Sequence, residues 1–140
     1  ETDLAMLRRL NSDTVMEVLG IEFVQASGTR VIATMPVDRR HVQIMGILHG
    51  GVSVLLAETV ASTLAYLGID RDRQVVFGLE INANHLRPVR PGARLTAEAT
   101  PIHRGKTTVV AQITISDERV RTISVSRCTN AIRERSGTDG

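Results

Sequence analysis

The chain has 140 residues, 42% hydrophobic and 23% charged, which suits one globular domain and leaves no room for two. That balance excludes intrinsic disorder, and the single cysteine, Cys128, excludes an internal disulfide or a cysteine-based zinc site. Net charge is +2, yet 16 of the 17 basic residues are arginine, and Asn82–Thr108 carries Arg87, Arg90, Arg94, Arg104 and Lys106 against one acid, Glu98. A local basic patch on a near-neutral chain fits a phosphorylated small molecule better than long nucleic acid. No basic and then apolar leader opens the chain, so no signal peptide is expected and a cytoplasmic setting is the default.

Residues 1–17 are expected as an N-terminal helical segment. Apolar residues recur at spacings of three and four in Asp3–Leu10 and again in Thr14–Leu19, which Gly20 ends. Ile21–Ala26 and Arg30–Pro36 alternate around Ser27-Gly28, a hairpin signal, and Val37–Met45 reads as a polar loop. Ile47–Leu67 follows, 21 residues with Glu58 as its only charge. It is long enough to span a membrane, but two glycines, His49, Ser53, Thr59, Ser62 and Thr63 fit better a helix buried by its own protein.

Four strand-like runs come next, Val75–Leu86, Arg94–His103, Thr107–Ser116 and Arg119–Ile132. Their short links imply an antiparallel sheet. Residues 134–140 are expected as a mobile tail. The helix has no second layer to cover its far side, so the sheet must curl around it. The expected fold is α+β, one domain over 1–140 with five or six strands. A helix so apolar would bury still more area in an oligomer.

A lone carboxylate in an apolar helix is costly unless it is paired, protonated or used. Glu58 has Val54, Leu55, Ala61 and Ser62 at helical spacing, none of them basic, which suits a general base or nucleophile. Leu48-His49-Gly50-Gly51 opens the same helix. Helix N-termini present unpaired N–H groups that stabilise an oxyanion, and glycines there let a ligand approach closely. Gly50 and Glu58 are eight residues apart, about 12 Å along a helix at about 1.5 Å per residue. If both act on one carbonyl, two copies of the helix must run antiparallel across a two-fold axis.

Gly46-Ile47-Leu48-His49-Gly50-Gly51-Val52 with Ala57-Glu58-Thr59 resembles the helix motif of hotdog-fold acyl-CoA thioesterases. The branch is that of Arthrobacter 4-hydroxybenzoyl-CoA, phenylacetate-pathway and 1,4-dihydroxy-2-naphthoyl-CoA thioesterases. Met35-Pro36-Val37-Asp38, Gly78–Val89 and Pro101–Lys106 continue the likeness, and Asn82-Ala83-Asn84-His85-Leu86-Arg87-Pro88 is its most specific part.

The resemblance implies a hotdog fold and hydrolysis of an aromatic acyl-CoA, in aromatic catabolism or menaquinone formation. Glu58 is then the catalytic carboxylate and the Gly50 N–H the oxyanion hole. His49 lies beside it, Gln43 positions the carbonyl or water, and Ser62 orients the carboxylate or water. Gln43, His49 and Gly50 come from one subunit, Glu58 and Ser62 from its partner. Gly51, Thr59, His85, Leu86, Arg87, Arg104, Gly105 and Lys106 lie along substrate and coenzyme A. Coenzyme A is part of the substrate, so no cofactor and no metal are expected. The partners expected are the acyl-CoA and further copies of the chain, in a dimer and then a tetramer, with neither nucleic acid nor membrane. Alternatives of the same fold are a thioesterase for medium-chain or carrier-protein-bound acyl groups, and an acyl-CoA-binding protein without turnover. His41 and His103 read as loop and strand-end residues, and Cys128 as a small packed hydrophobe.

Overall fold

The computed structural model describes residues 1–137. Two short helices, α1 (Asp3–Leu10) and α2 (Val15–Val18), open the chain. The Thr2 and Thr14 hydroxyls accept from Ala5 and Glu17 N–H and so cap them. β1 (Glu22–Ala26) and β2 (Val31–Pro36) form the expected hairpin. After a 3-10 turn at Arg39–His41 comes α3 (Gly50–Leu67), then β3 (Gln74–His85), β4 (Arg94–Arg104), β5 (Thr108–Ser116) and β6 (Thr122–Glu134). The expected helix start at Ile47 is three residues early, because Leu48 makes an antiparallel bridge to Val42 and His49 is the extended N-cap. At the other end, β6 takes Arg133 and Glu134 into the sheet, so the expected tail begins later, and its residues 138–140 lie outside the described residues.

All six strands form one antiparallel sheet in the order β1-β2-β4-β5-β6-β3. This is the hotdog arrangement, a curled sheet around one long helix. Alternation drives it: Val31, Ala33 and Met35 of β2, Leu95, Ala97 and Ala99 of β4, and Val109, Ala111, Ile113 and Ile115 of β5 are all buried and share the face toward α3. The small side chains in that layer let α3 lie close to the sheet. The β3–β4 link is short, yet it joins strands that are not neighbours, since β3 pairs with β6 at the far edge. The crossing is pinned by backbone bonds from Leu48 N–H to Val89 O and from Val37 N–H to Ala93 O, 2.8 and 2.9 Å.

α3 is long and apolar enough to cross a membrane, but it packs against all six strands. It is not buried all round, as the sequence led us to expect. Ser53, Leu56, Ala57, Val60, Ala61, Leu64 and Ala65 face the core, while Gly51, Val54, Leu55, Glu58, Thr59, Ser62 and Thr63 form a stripe that the chain leaves partly open.

Candidate active site

A knot of backbone hydrogen bonds fixes the start of α3. Gln43 N–H donates to Ile47 O and Gly46 N–H to Gln43 O, both at 2.9 Å, and His49 N–H donates to His41 O at 2.8 Å. His41 is more than a loop residue. It is fully buried, with Nδ1 accepting from Asp38 N–H at 3.0 Å and Nε2 donating to Leu19 O at 2.7 Å. One neutral tautomer satisfies both bonds. Next to it, Arg40 donates to Asp38 and holds that carboxyl well below the usual carboxylate range.

Of the first four N–H groups of the helix so placed, Val52 and Ser53 donate to His49 O at 3.0 and 3.2 Å. His49 Nδ1 accepts from Gly51 N–H at 2.8 Å, whereas Gly50 N–H has no acceptor among the described residues. A Cβ on Gly50 would lie 3.0 Å from His85 Nε2, so glycine is what lets the last residue of β3 lie over the helix start. His85, Leu86 and Arg87 line a cleft of about 320 Å³ there, with Gly50 and Ser53. Ser53 was not foreseen. It is buried with a hydroxyl that has no partner among the described residues, and its only signal in the sequence is a hydroxyl between Val52 and Val54. Gln43 sits on the hairpin that leads into α3, with its carboxamide oxygen accepting from Met45 N–H.

Midway along α3 the open stripe forms a groove of about 460 Å³, lined by Gly51, Val54, Leu55, Glu58, Thr59, Ser62 and Thr63, with Met16 of α2 on one side. Glu58 is its only charged group and is half-buried. Its carboxylate lies over Gly78 of β3, where a Cβ would approach Oε1 to 3.0 Å. Ser62 Oγ donates to Oδ1 of Asn130 on β6 at 3.3 Å, and Asn130 Nδ2 donates to Cys128 Sγ at 3.5 Å. Burial, then the nearby Glu58 and Glu80 carboxylates, push the Cys128 thiol up to about 11, so it is no nucleophile at neutral pH. Gly78 and Asn130 were also missed. A glycine inside a strand pattern is the one sequence signal for the first, and nothing local marks the second.

Arg104, Gly105 and Lys106 lie elsewhere. Arg104 donates to Leu64 O at 3.0 Å and to Gly28 O at 2.8 Å, closing the C-terminal end of α3 onto the β1–β2 turn. Burial pulls its guanidinium below the usual arginine range. Gly105 and Lys106 form the adjacent β4–β5 turn, with Gly105 N–H donating to Thr108 O at 2.8 Å. Residue 64 is fourteen positions beyond residue 50, about 21 Å along the helix. Within one chain, therefore, His49, Gly50, His85, Leu86 and Arg87 gather at one end, Glu58, Thr59 and Ser62 in the middle, and Arg104–Lys106 at the other end.

The family model of the thioesterase superfamily matches residues 45–124, which take in α3 and the sheet strands over which Glu58 and Gly50 are set. The chain belongs to the thioesterase superfamily. This thioesterase is 53% identical over 119 residues to the Bacillus subtilis protein ComA2, covering 85% of this chain and 94% of that one. It is 43% identical over 129 residues to the 1,4-dihydroxy-2-naphthoyl-CoA hydrolase of Escherichia coli, covering 92% of this chain and 93% of that one. A crystal structure of a thioesterase from Haemophilus influenzae superposes with a TM-score of 0.91 at 43% identity, covering 100% of this chain and 96% of that chain. The thioesterase is a thioester hydrolase of the hotdog type.

Proposed function

We propose that this thioesterase hydrolyses an aromatic acyl-CoA, of the hydroxybenzoyl, phenylacetyl or dihydroxynaphthoyl type, to the free acid and coenzyme A without a cofactor or metal. The observation that carries the reading is Glu58 as sole charge in an apolar groove, on the same helix as the unsatisfied Gly50 N–H. In the base route Glu58 takes a proton from water while the water oxygen bonds to the thioester carbon, and Gly50 N–H stabilises the oxyanion. The C–S bond then breaks and Glu58 returns the proton to the leaving sulfur. In the nucleophilic route Glu58 itself bonds to the carbon, the C–S bond breaks to release coenzyme A as its thiolate, and water cleaves the resulting anhydride, one of its protons going to the thiolate. Label from ¹⁸O-water enters the Glu58 carboxylate only in the second route. His49 and Gln43 flank the carbonyl, and Gly51, Thr59 and Leu86 line the substrate.

About 12 Å of helix separates Glu58 from Gly50, so one carbonyl is served by two chains with their α3 helices antiparallel. Two features support this. β3 is a sheet edge on which Phe77 and Leu79, each 58% exposed, flank the glycine under Glu58, and the open stripe of α3 runs beside it. The same two-fold carries the Gly105–Lys106 turn of one copy toward His85 and Arg87 of the other, where the phosphates of coenzyme A find their cations. Arg104 has its Nη2 held by two carbonyl oxygens at the foot of α3 and keeps only its other N–H groups for them. Dimers pair into a tetramer, in the cytoplasm, with no nucleic acid or membrane as partner. Kinship with a dihydroxynaphthoyl-CoA hydrolase at 43% identity favours the bicyclic aromatic acyl group.

The test is thiol release from benzoyl-, phenylacetyl-, 1,4-dihydroxy-2-naphthoyl- and straight-chain acyl-CoA, with Glu58→Gln alongside. Turnover is expected to be fastest on an aromatic member and to fall by about 10²–10⁴ in the variant, with the oligomer intact by size-exclusion chromatography. Near-full activity of Glu58→Gln overturns the role of Glu58. Preference for straight-chain acyl groups overturns the substrate class.

A further inference from the structure

We propose that Asn130 is a positioning residue for this hydrolysis: by accepting the Ser62 hydroxyl proton, it keeps that proton off the Glu58 carboxylate and turns Ser62 into an acceptor. The inference rests on Glu58 as the catalytic carboxylate. Three hydroxyls share the stripe with Glu58. Thr59 and Thr63 donate to the helix carbonyl oxygens of Leu55 and Thr59, each at 2.7 Å, the ordinary use of a helical threonine hydroxyl. Ser62 alone donates out of the helix, to Asn130 Oδ1 at 3.3 Å.

Asn130 is set for this. It is 1% exposed, its NH₂ is directed to Cys128 Sγ, and that orientation turns the carbonyl oxygen toward Ser62. It is paired in register with Gly78, the residue over which the Glu58 carboxylate lies. A Cβ on Gly78 would meet Glu58 Oε1 at 3.0 Å and Asn130 Oδ1 at 3.9 Å, so glycine leaves one small space in which Glu58 and the amide oxygen of Asn130 both lie. The other titratable groups of this cluster are the Cys128 thiol, which stays protonated, and Glu80 on β3.

Ser62 has one proton to give. Donated to Glu58, one turn before it, that proton would stabilise the ionised carboxylate and weaken it as a base. Donated to Asn130, it leaves the serine lone pairs free to accept from the attacking water, aligning the water's second proton with Glu58. Asn130 thus decides the polarity of the Ser62–Glu58 pair without touching the substrate.

The experiment is a cycle of Asn130→Ala, Ser62→Ala and the double variant, followed by thiol release from 1,4-dihydroxy-2-naphthoyl-CoA or benzoyl-CoA, whichever the wild type turns over faster. Asn130→Ala is expected to lower kcat about tenfold through lost alignment, with KM within about twofold. It also moves the acid limb of the kcat/KM profile to lower pH. On a Ser62→Ala background the same change moves the limb no further. Asn130→Thr, which keeps an acceptor oxygen on β6, retains the wild-type limb, and Asn130→Leu, of similar size but without an acceptor, is measured for the same shift if Asn130→Ala does not fold. An unmoved acid limb in Asn130→Ala, with Glu58→Gln inactive, overturns this inference and leaves the role of Glu58 standing. A limb that moves equally with and without Ser62 overturns the route through the serine. An active Glu58→Gln overturns the catalytic assignment on which both rest.

Discussion

The two ends of α3 are treated in opposite ways. At its C-terminal end Arg104 reaches from β4 to donate to Leu64 O and Gly28 O, so an orphan carbonyl of the last turn is satisfied by a cation, where the helix dipole favours one. At its N-terminal end a histidine cap accepts from Gly51 N–H, and Gly50 N–H is left open beside a cleft. One terminus is thus closed by an arginine side chain, and the other leaves a backbone donor bare. The same contrast separates the arginines: Arg87, with no side-chain hydrogen bond among the described residues, and Arg104, whose Nη2 donates to two backbone carbonyl oxygens.

Of the two ends, the larger effect is expected at the open one. Gly50→Pro removes the free N–H at the first helical position, where proline fits, and His49 already has the extended backbone a following proline requires. It is expected to lower kcat by about 10²–10³, the usual cost of one lost oxyanion donor. Gly50→Ala adds the same Cβ against His85 but keeps the N–H, and loses far less. Equal losses in the two variants would assign the effect to displacement of His85 and erase the contrast between the ends.

At the closed end the expected effect is on stability. Arg104→Gln cuts the charge-assisted bonds to Leu64 O and Gly28 O and is expected to cost about 1–3 kcal/mol, read as a lowered thermal midpoint. A rise in KM for acyl-CoA at an unchanged midpoint would return Arg104 to the phosphate site.

The smallest effect belongs to the sheet floor between the ends. The Cys128 thiol ionises near 9 when unfolded and is pushed up to about 11 in the fold. A raised folded value means stability that is full below about pH 9 and is lost as pH rises toward about 11. Denaturant midpoints measured across that window are expected to fall for the wild type and to fall less for Cys128→Ala. A thiol that reacts with Ellman's reagent at pH 8 as readily folded as unfolded would contradict its burial.

Much of this was legible in the sequence. The helix, the hairpin, all six strands and the one charge on α3 follow from short-range periodicity, and the residues around Glu58 and Gly50 carry the family likeness. What escaped depends on partners distant along the chain. Asn130 looks like any polar residue of a strand until β6 brings it to Ser62, 68 residues earlier. Nothing near Arg104 in the sequence announces the bonds its guanidinium makes to Leu64 O and Gly28 O, 40 and 76 residues earlier.

By itself the sequence determined local conformation and one spacing. Side-chain alternation chooses strand or helix, and eight residues between Gly50 and Glu58 make a single-chain site impossible if both act. Only the tertiary structure decided that β3 crosses to the far edge of the sheet, which stripe of α3 stays open, and that Arg104 bonds the end of that helix. The reason is physical. Strand order, residual exposure and hydrogen-bond partners are set by contacts between residues far apart in sequence, and periodicity carries no record of them.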